Sequence, residues 1–270
     1  MDKLVEKYCE VPSFVRRPMW RIWHGLMTRF DKRKEVTFMN YGYESLNGDV
    51  SLVLNEEDKH NRYCINLYHQ VASQVDLTGM HVLEVGSGRG GGASYISRYL
   101  NPESYTAIDI SKTVIDFCKQ VHTVRNLSFR KGVAEKLEFQ DEMFDAVVNV
   151  ESARCYADMQ GFFNEVFRVL RPGSHFLFAD MIKQGEENIV NERLTNAGFT
   201  FVKTRNITNN VVKSLDLDHD RRDQLIQSLI PKFLKGGFLE FAGAKGTERY
   251  NSFATGKMQY WVYLLEKKKS

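Results

Sequence analysis

From residue 81 onward, short apolar runs alternate with stretches whose apolar residues recur every three or four positions. The runs "HVLEV" (81–85), "SYTAIDI" (104–110), "LSFRKGVA" (127–134), "FDAVVNV" (144–150) and "HFLFADM" (175–181) predict strands. Between them, "GASYISRYL" (92–100), "KTVIDFCKQV" (112–121) and "MQGFFNEVFRVL" (159–170) predict helices, the last closed by a turn at "RPGS" (171–174). Strands that are apolar along their whole length and separated by helices form parallel sheets covered on both faces. After residue 184 the pattern predicts a helix at 186–198, a strand at 199–208, helical chain over 209–235 and a last alternating strand, "MQYWVYLLEK" (258–267).

Residues 1–76 carry no strong strand pattern. Residues 18–30 place Met19, Ile22, Trp23, Leu26, Met27 and Phe30 at helical spacing, with Arg16, Arg17, Arg21 and Arg29 on or beside the other face. Residues 58–75 predict a second helix with Ile65, Tyr68, Ala72 and Val75 on one side.

Five glycines fall in the seven positions after the first strand, 86–92. Gly86, Gly88 and Gly90 give GxGxG, while Gly86, Gly88 and Gly91 also satisfy GxGxxG, the dinucleotide fingerprint. Both patterns turn the chain sharply from strand to helix and let a ligand approach bare backbone. Glu84 at the strand end separates the two readings, because a carboxylate there suits a cationic amino group and repels a pyrophosphate. The loop also lies behind a helical N-terminal segment, whereas dehydrogenase fingerprints often stand near the start of their domain. Asp109, about 20 residues after the loop, is placed for ribose hydroxyls in either case.

The chain has 270 residues, 43% hydrophobic and 26% charged, with a formal net charge of +3. That balance supports a sizeable core and does not suggest a nucleic-acid surface. Cys9, Cys64, Cys118 and Cys155 are widely spaced, so neither a zinc site nor a disulfide framework is expected. The first 14 residues lack the apolar core of a secretory signal, and no apolar run approaches a membrane span. These features predict a cytoplasmic protein.

The segments "HVLEVGSGRGGG", "YTAIDIS", "FDAVVNVES" and "EVFRVLRPGS" resemble the successive motifs of the class I S-adenosyl-L-methionine-dependent methyltransferases, over residues 80–181. "MTRF", "FMNYGYES", "NLYHQVASQVDLTGMHVLEV" and "GGGASYI" look more narrowly like the phthiotriol/phenolphthiotriol dimycocerosate methyltransferases. The resemblance implies an α/β fold: a Rossmann-like, mostly parallel seven-stranded sheet with an antiparallel last strand, N-terminal helices and a helical lid insertion. It divides the chain into an N-terminal helical cap (1–76) and a methyltransferase domain (77–270) with the lid at about 184–257.

Residue by residue, the resemblance implies that Glu84, Gly86, Ser87 and Gly88 hold the methionine end of S-adenosyl-L-methionine. Asp109 would bind the ribose, and Ile110 would pack on adenine. Many relatives have an acidic residue where Val133 stands. Glu135 or a backbone carbonyl of Val133–Ala134 could then serve the adenine amino group. By the rule that open α/β sheets bind ligands at the carboxyl edge, Asn149, Val150 and Glu151 reach the site. "NVES" (149–152) lacks the Pro-Pro box of DNA adenine methyltransferases. In related enzymes an aromatic from an N-terminal segment closes over the cofactor. Here Tyr41 or Tyr43 could fill that role, since an aromatic face attracts a cation. Arg154 stands where several relatives have histidine, which leaves it either a substrate-holding cation or an exposed helix-start residue.

Methyl transfer from an already activated sulfonium asks the protein mainly for positioning. A base is needed only for a poorly acidic acceptor, and His69, Glu151 and Tyr156 are the candidates. Apolar residues of the lid, among them Leu229, Ile230, Phe233 and Phe238, suit a small or lipid-like acceptor methylated on oxygen or an activated carbon. The basic, tryptophan-bearing segment 14–30 adds a candidate peripheral membrane contact, or else packs onto the lid. Two other readings stay open: methylation of nucleic acid or protein, and a scaffold that binds the cofactor without catalysis.

Overall fold

A computed structural model describes residues 30–48 and 52–269. Seven strands form one sheet: β1 His81–Val85, β2 Ser104–Asp109, β3 Leu127–Lys131, β4 Phe144–Val150, β5 Leu170–Lys183, β6 Thr200–Asn206 and β7 Met258–Lys267. Their spatial order is β3-β2-β1-β4-β5-β7-β6. The pairs among β1 to β5 are parallel, and β7 runs antiparallel between β5 and β6. The expected mostly parallel sheet with an antiparallel last strand is the observed one. The order reverses between β1 and β4, and that switch point opens a crevice at the carboxyl edge.

Helices α1 (Arg62–Ala72), α2 (Gly91–Tyr99), α3 (Lys112–Val121), α4 (Met159–Val169) and α5 (Glu187–Asn196) flank the sheet, and α6 (Thr208–Leu217), α7 (His219–Leu229), α8 (Lys235–Phe241) and α9 (Glu248–Ala254) form the insertion between β6 and β7. Local sequence fixes several starts: Ser111, Asp158 and Thr247 each accept a backbone N–H from the first turn of α3, α4 and α9. Successive strand residues serve opposite faces. Val82 packs with Ile65, Val71 and Ile96 on one face, while Leu83 and Val85 pack with Phe162, Phe163 and Val166 on the other. A third, smaller apolar cluster joins the insertion to the segment around Val36, through Ile226, Ile230 and Phe238.

Two sequence expectations need correction. "RPGS" does not end before β5 but lies within it, where Gly173 takes φ +82° and the register against β4 shifts between Phe144 and Ala146. The bulge absorbs the turn residues into the strand. The helical stretch 209–235 is two helices and a short 3-10 turn, broken at Asp218, whose buried carboxylate pairs with Arg221 and Arg222. The predicted helix 18–30 and membrane contact 14–30 lie outside the described residues, apart from Phe30. No helix among the described residues is long and apolar enough to cross a membrane.

Candidate active site

The ends of β1, β2 and β4 open onto a cavity of about 160 Å³. Its floor is the glycine loop, Gly86 to Gly92. The glycines there are not equivalent. A Cβ at Gly86 would come within 2.6 Å of the Tyr156 hydroxyl and closer still to Ser152, and one at Gly92 would overlap the Tyr68 ring. Those two positions are bare to let protein side chains in. A Cβ at Gly88 meets no atom within 4 Å, so that position is bare toward open space in the cavity. Beside it, the Ser87 hydroxyl is buried with no hydrogen-bond partner. A buried polar atom without a partner is rare and marks a place where a ligand completes the bonding.

At the end of β2, Asp109 accepts the N–H of Ser111 (2.9 Å) and of Gly88 (3.2 Å), which fixes its carboxylate against the loop. Burial pushes its pKa up to about 6. Ile110 follows on the cavity wall, 40% exposed although aliphatic, and Ala134 and Glu135 stand across from it. Apolar surface beside a ribose-type acceptor suits a purine base.

The roof is a strap, residues 37–41, laid across the loop. Asp31 and Arg89, both almost fully buried, form an ion pair at 2.5 Å. Arg89 also donates to the Val36 carbonyl and lies 3.7 Å over the Phe117 ring. The Gly91 N–H donates to the Thr37 carbonyl. Tyr41 donates its backbone N–H to the Glu151 carboxylate at 2.9 Å and its hydroxyl to the Phe241 carbonyl at 3.2 Å.

Glu151 itself sits just past β4 with φ +54°, in the left-handed region that costs a non-glycine residue about 1–3 kcal/mol. The conformation turns its side chain into the cavity wall, where it also accepts from the Tyr260 hydroxyl at 3.0 Å. Burial pushes its pKa up to about 7, against the pull of Arg154 and these two donors.

A family model described as a methyltransferase domain matches residues 83–178. A phthiotriol/phenolphthiotriol dimycocerosates methyltransferase from Mycobacterium tuberculosis is 39% identical over 249 residues, 92% of each chain. The chain belongs to the S-adenosyl-L-methionine-dependent methyltransferases. A fatty-acid O-methyltransferase from Mycolicibacterium smegmatis is 36% identical over 89% of this chain and 86% of its own. Among solved structures, the [4+2]-cyclase SpnF superposes with a TM-score of 0.71 at 18% identity, covering 91% of this chain and 93% of its own. The cyclopropane synthase of Mycobacterium tuberculosis superposes at 0.69 and 13%, covering 89% and 95%. These two share the fold, and their differing names show that the fold alone does not fix the chemistry.

The methyltransferase gathers most of the sequence-predicted residues in one cavity: Tyr41, Gly86, Ser87, Gly88, Asp109, Ile110, Ala134, Glu135, Val150, Glu151 and Tyr156 all line it. Four do not. Glu84 is fully buried and reaches the cavity only through Tyr68, whose hydroxyl donates to it at 2.9 Å. Tyr105 holds its other oxygen at 3.1 Å, and burial pushes its pKa up to about 7. Asn149 is fully buried and donates to the Val85 carbonyl and the Ser152 and Tyr156 hydroxyls. Val133 faces outward beside the wall, 37% exposed. His69 turns to the Tyr95 hydroxyl (2.8 Å), and burial lowers its pKa. The suggested base role for His69 therefore fails on geometry.

Tyr156 bonds Ser152 and Asn149, and burial raises its pKa well above the phenol range, so it is held as a neutral hydroxyl. Tyr41 lines the cavity with its ring T-shaped against Phe253, whereas Tyr43 lies off the cavity wall. Phe38 and Tyr68, 6.1 Å apart and T-shaped, line the cavity as well. Arg154 lines the cavity and is paired with Asp180 at 2.7 Å, so it is not an exposed helix-start cation.

Sequence reasoning also missed Thr37, Phe38, Met39 and Asn40, which come from a stretch without periodicity. Tyr68 was findable. It stands on the predicted apolar face of its helix, whereas His69 stands off that face.

Proposed function

We propose that this methyltransferase acts on an oxygen of a lipid-like acceptor, and that Glu151 is the group that meets that oxygen. The placement of Glu151 carries the reading. Of the three base candidates, it alone is an ionisable group that lines the cavity and changes charge near neutral pH. A base is most effective when its pKa lies near the working pH. The names of the relatives, which specify phthiotriol dimycocerosates and a fatty acid, support an oxygen-bearing lipid acceptor.

The residues present fit the cofactor. S-adenosyl-L-methionine, when bound, supplies a methyl group on a cationic sulfur that needs no further activation. Gly88 and Ser87 would receive its methionine end, with the carboxylate of Glu84 acting on the amino group through Tyr68. Asp109 would take the ribose hydroxyls: an ionised carboxylate has about four acceptor sites, and two backbone N–H groups leave room for more. Ile110 and Ala134 would flank adenine, with Glu135 near its amino group.

For an alcohol acceptor, ionised Glu151 would take the hydroxyl proton. For a carboxylate acceptor no proton leaves, and a protonated Glu151 avoids repulsion. Incubation with isotope-labelled cofactor, a panel of long-chain alcohols and fatty acids, and mass spectrometry tests the reading. A methyl group gained on oxygen is expected. Cofactor binding with no methylated product from either class overturns it.

For residues 14–30, the sequence supports contact with an anionic membrane that delivers such an acceptor. Sedimentation with anionic vesicles that weakens with salt would support that contact, and no sedimentation at low salt would remove it.

A further inference from the structure

A second cavity, about 80 Å³, lies on the far side of the strap from the first. The two share four wall residues, Phe38, Met39, Asn40 and Phe241, so one layer of side chains separates them. The far wall is α7 and α8, with Leu225, Ile226, Leu229, Ile230 and Phe238 facing in.

The polar groups around this cavity are already bonded within the protein. Arg221 and Arg222 are held by Asp218, and Arg222 also donates to the Asn40 and Tyr41 carbonyls. The Asn40 side chain donates to Cys64 and accepts from Gly42. Asn61 pairs with His60, and Glu35 with Arg33. What remains for an occupant is apolar surface, and apolar cavities take apolar molecules rather than water. Met39, in the shared wall, is the kind of unbranched side chain that repacks readily around an irregular chain.

We infer that this second cavity receives the alkyl chain of the acceptor, which passes the strap between Met39 and Phe241 while its oxygen end lies beside Glu151. The inference rests on the lipid-acceptor reading above and adds the part of the protein that measures chain length. Each methylene buried there raises affinity about fourfold, so long-chain acceptors are preferred by a factor that grows with the number of carbons housed.

Leu229→Trp and the milder Leu225→Phe narrow the cavity from partly exposed positions on α7. Two measurements are made on the full chain with cofactor. The first is kcat/KM for acceptors with the same oxygen group and rising chain length. The second is direct binding of a fluorescent long-chain fatty acid. The ratio of long-chain to short-chain kcat/KM is expected to fall at least tenfold in Leu229→Trp and less in Leu225→Phe. Cofactor affinity stays within threefold, which confirms folding, and the fluorescent acid is bound by the wild type and released by Leu229→Trp. An unchanged ratio in both folded variants, or no binding of the acid to the wild type, overturns the inference. If no acceptor is methylated but the acid binds the wild type and not Leu229→Trp, the chain site stands and the acceptor class proposed above falls.

Discussion

The carboxylate of Glu151 accepts the backbone N–H of Tyr41 at 2.9 Å, across 110 residues of sequence. This contact ties the carboxyl edge of the sheet to the strap that roofs the cavity. One oxygen of Glu151 holds both Tyr41 and the Tyr260 hydroxyl. The residue proposed to meet the acceptor is thus also one that positions the roof.

Glu151→Gln separates these two roles. The amide oxygen can still accept from Tyr41 and Tyr260, so folding and cofactor affinity are expected to change little. If the acceptor is an alcohol, kcat/KM falls roughly 10²–10⁴-fold, the usual contribution of a positioned base. The wild-type rate then rises with pH through about 7 and levels off, because Glu151 must be ionised. With a carboxylate acceptor the sign reverses: the wild-type rate falls as pH rises through 7, and the glutamine variant loses that dependence. Rate profiles from pH 5.5 to 8.5 for both proteins check this, and identical profiles would remove Glu151 from the chemistry.

Gly88→Val puts a branched side chain where no atom lies within 4 Å and where φ is +51°. The backbone strain costs about 1–2 kcal/mol of stability, which a folded protein of this size tolerates. Calorimetric titration is expected to show no cofactor binding, since the new atoms occupy the open space. Gly92→Val differs: its Cβ would overlap the Tyr68 ring, so it should lower Tm sharply. Normal cofactor affinity in folded Gly88→Val would move the cofactor off the loop.

The contrast between Gly88 and Gly92 shows where the sequence was legible. The glycine run announced a strand–helix turn and a ligand, but not which glycine served which purpose, because that depends on Tyr68 and Ser152 arriving from distant segments. The strands were readable where burial on both faces makes the run continuous, as in β1 and β4, or where the residues alternate, as in β7. The strap was not. Its hold on the domain rests on Asp31–Arg89 and on backbone bonds, and neither leaves a periodic trace. His69 was favoured for its chemistry over its helical phase, and phase decided.

Asp31→Asn tests the anchor of the strap. It leaves the Arg89 guanidinium buried without its counter-charge, and breaking such a pair costs about 3–5 kcal/mol. Arg89→Met should cost a similar amount. The double variant should cost less than the sum, because no lone buried charge is left in it. Denaturant titration of the four proteins measures the coupling, and strict additivity would show that the pair does not hold the strap.

The last prediction concerns protons. Burial raises the carboxyls of Glu84 and Glu151 to about 7 and that of Asp109 to about 6, from ordinary values of 4.5, 4.5 and 3.8. A folded pKa above the unfolded one means that the native state binds protons more tightly, so the stability it contributes is complete below about pH 4.5 and is lost as pH rises through 7. Over pH 6.5–8 the unfolding free energy without cofactor should fall by roughly 1 kcal/mol, because His69 and His122, held below the ordinary histidine range in the fold, lose protons from the unfolded chain there and offset about half of the carboxyl effect. The cofactor carries cationic sulfur and nitrogen, which favour the ionised carboxylates. Its affinity should therefore rise with pH between 5.5 and 7.5, and its binding should release protons near pH 6.5. Titration calorimetry in two buffers of different ionisation enthalpy reads that release directly. Proton uptake, or an affinity flat across this range, would mean that these carboxylates do not face the cofactor's charge. Glu84→Gln should then keep wild-type affinity, whereas the linkage predicts that it weakens binding most at the alkaline end.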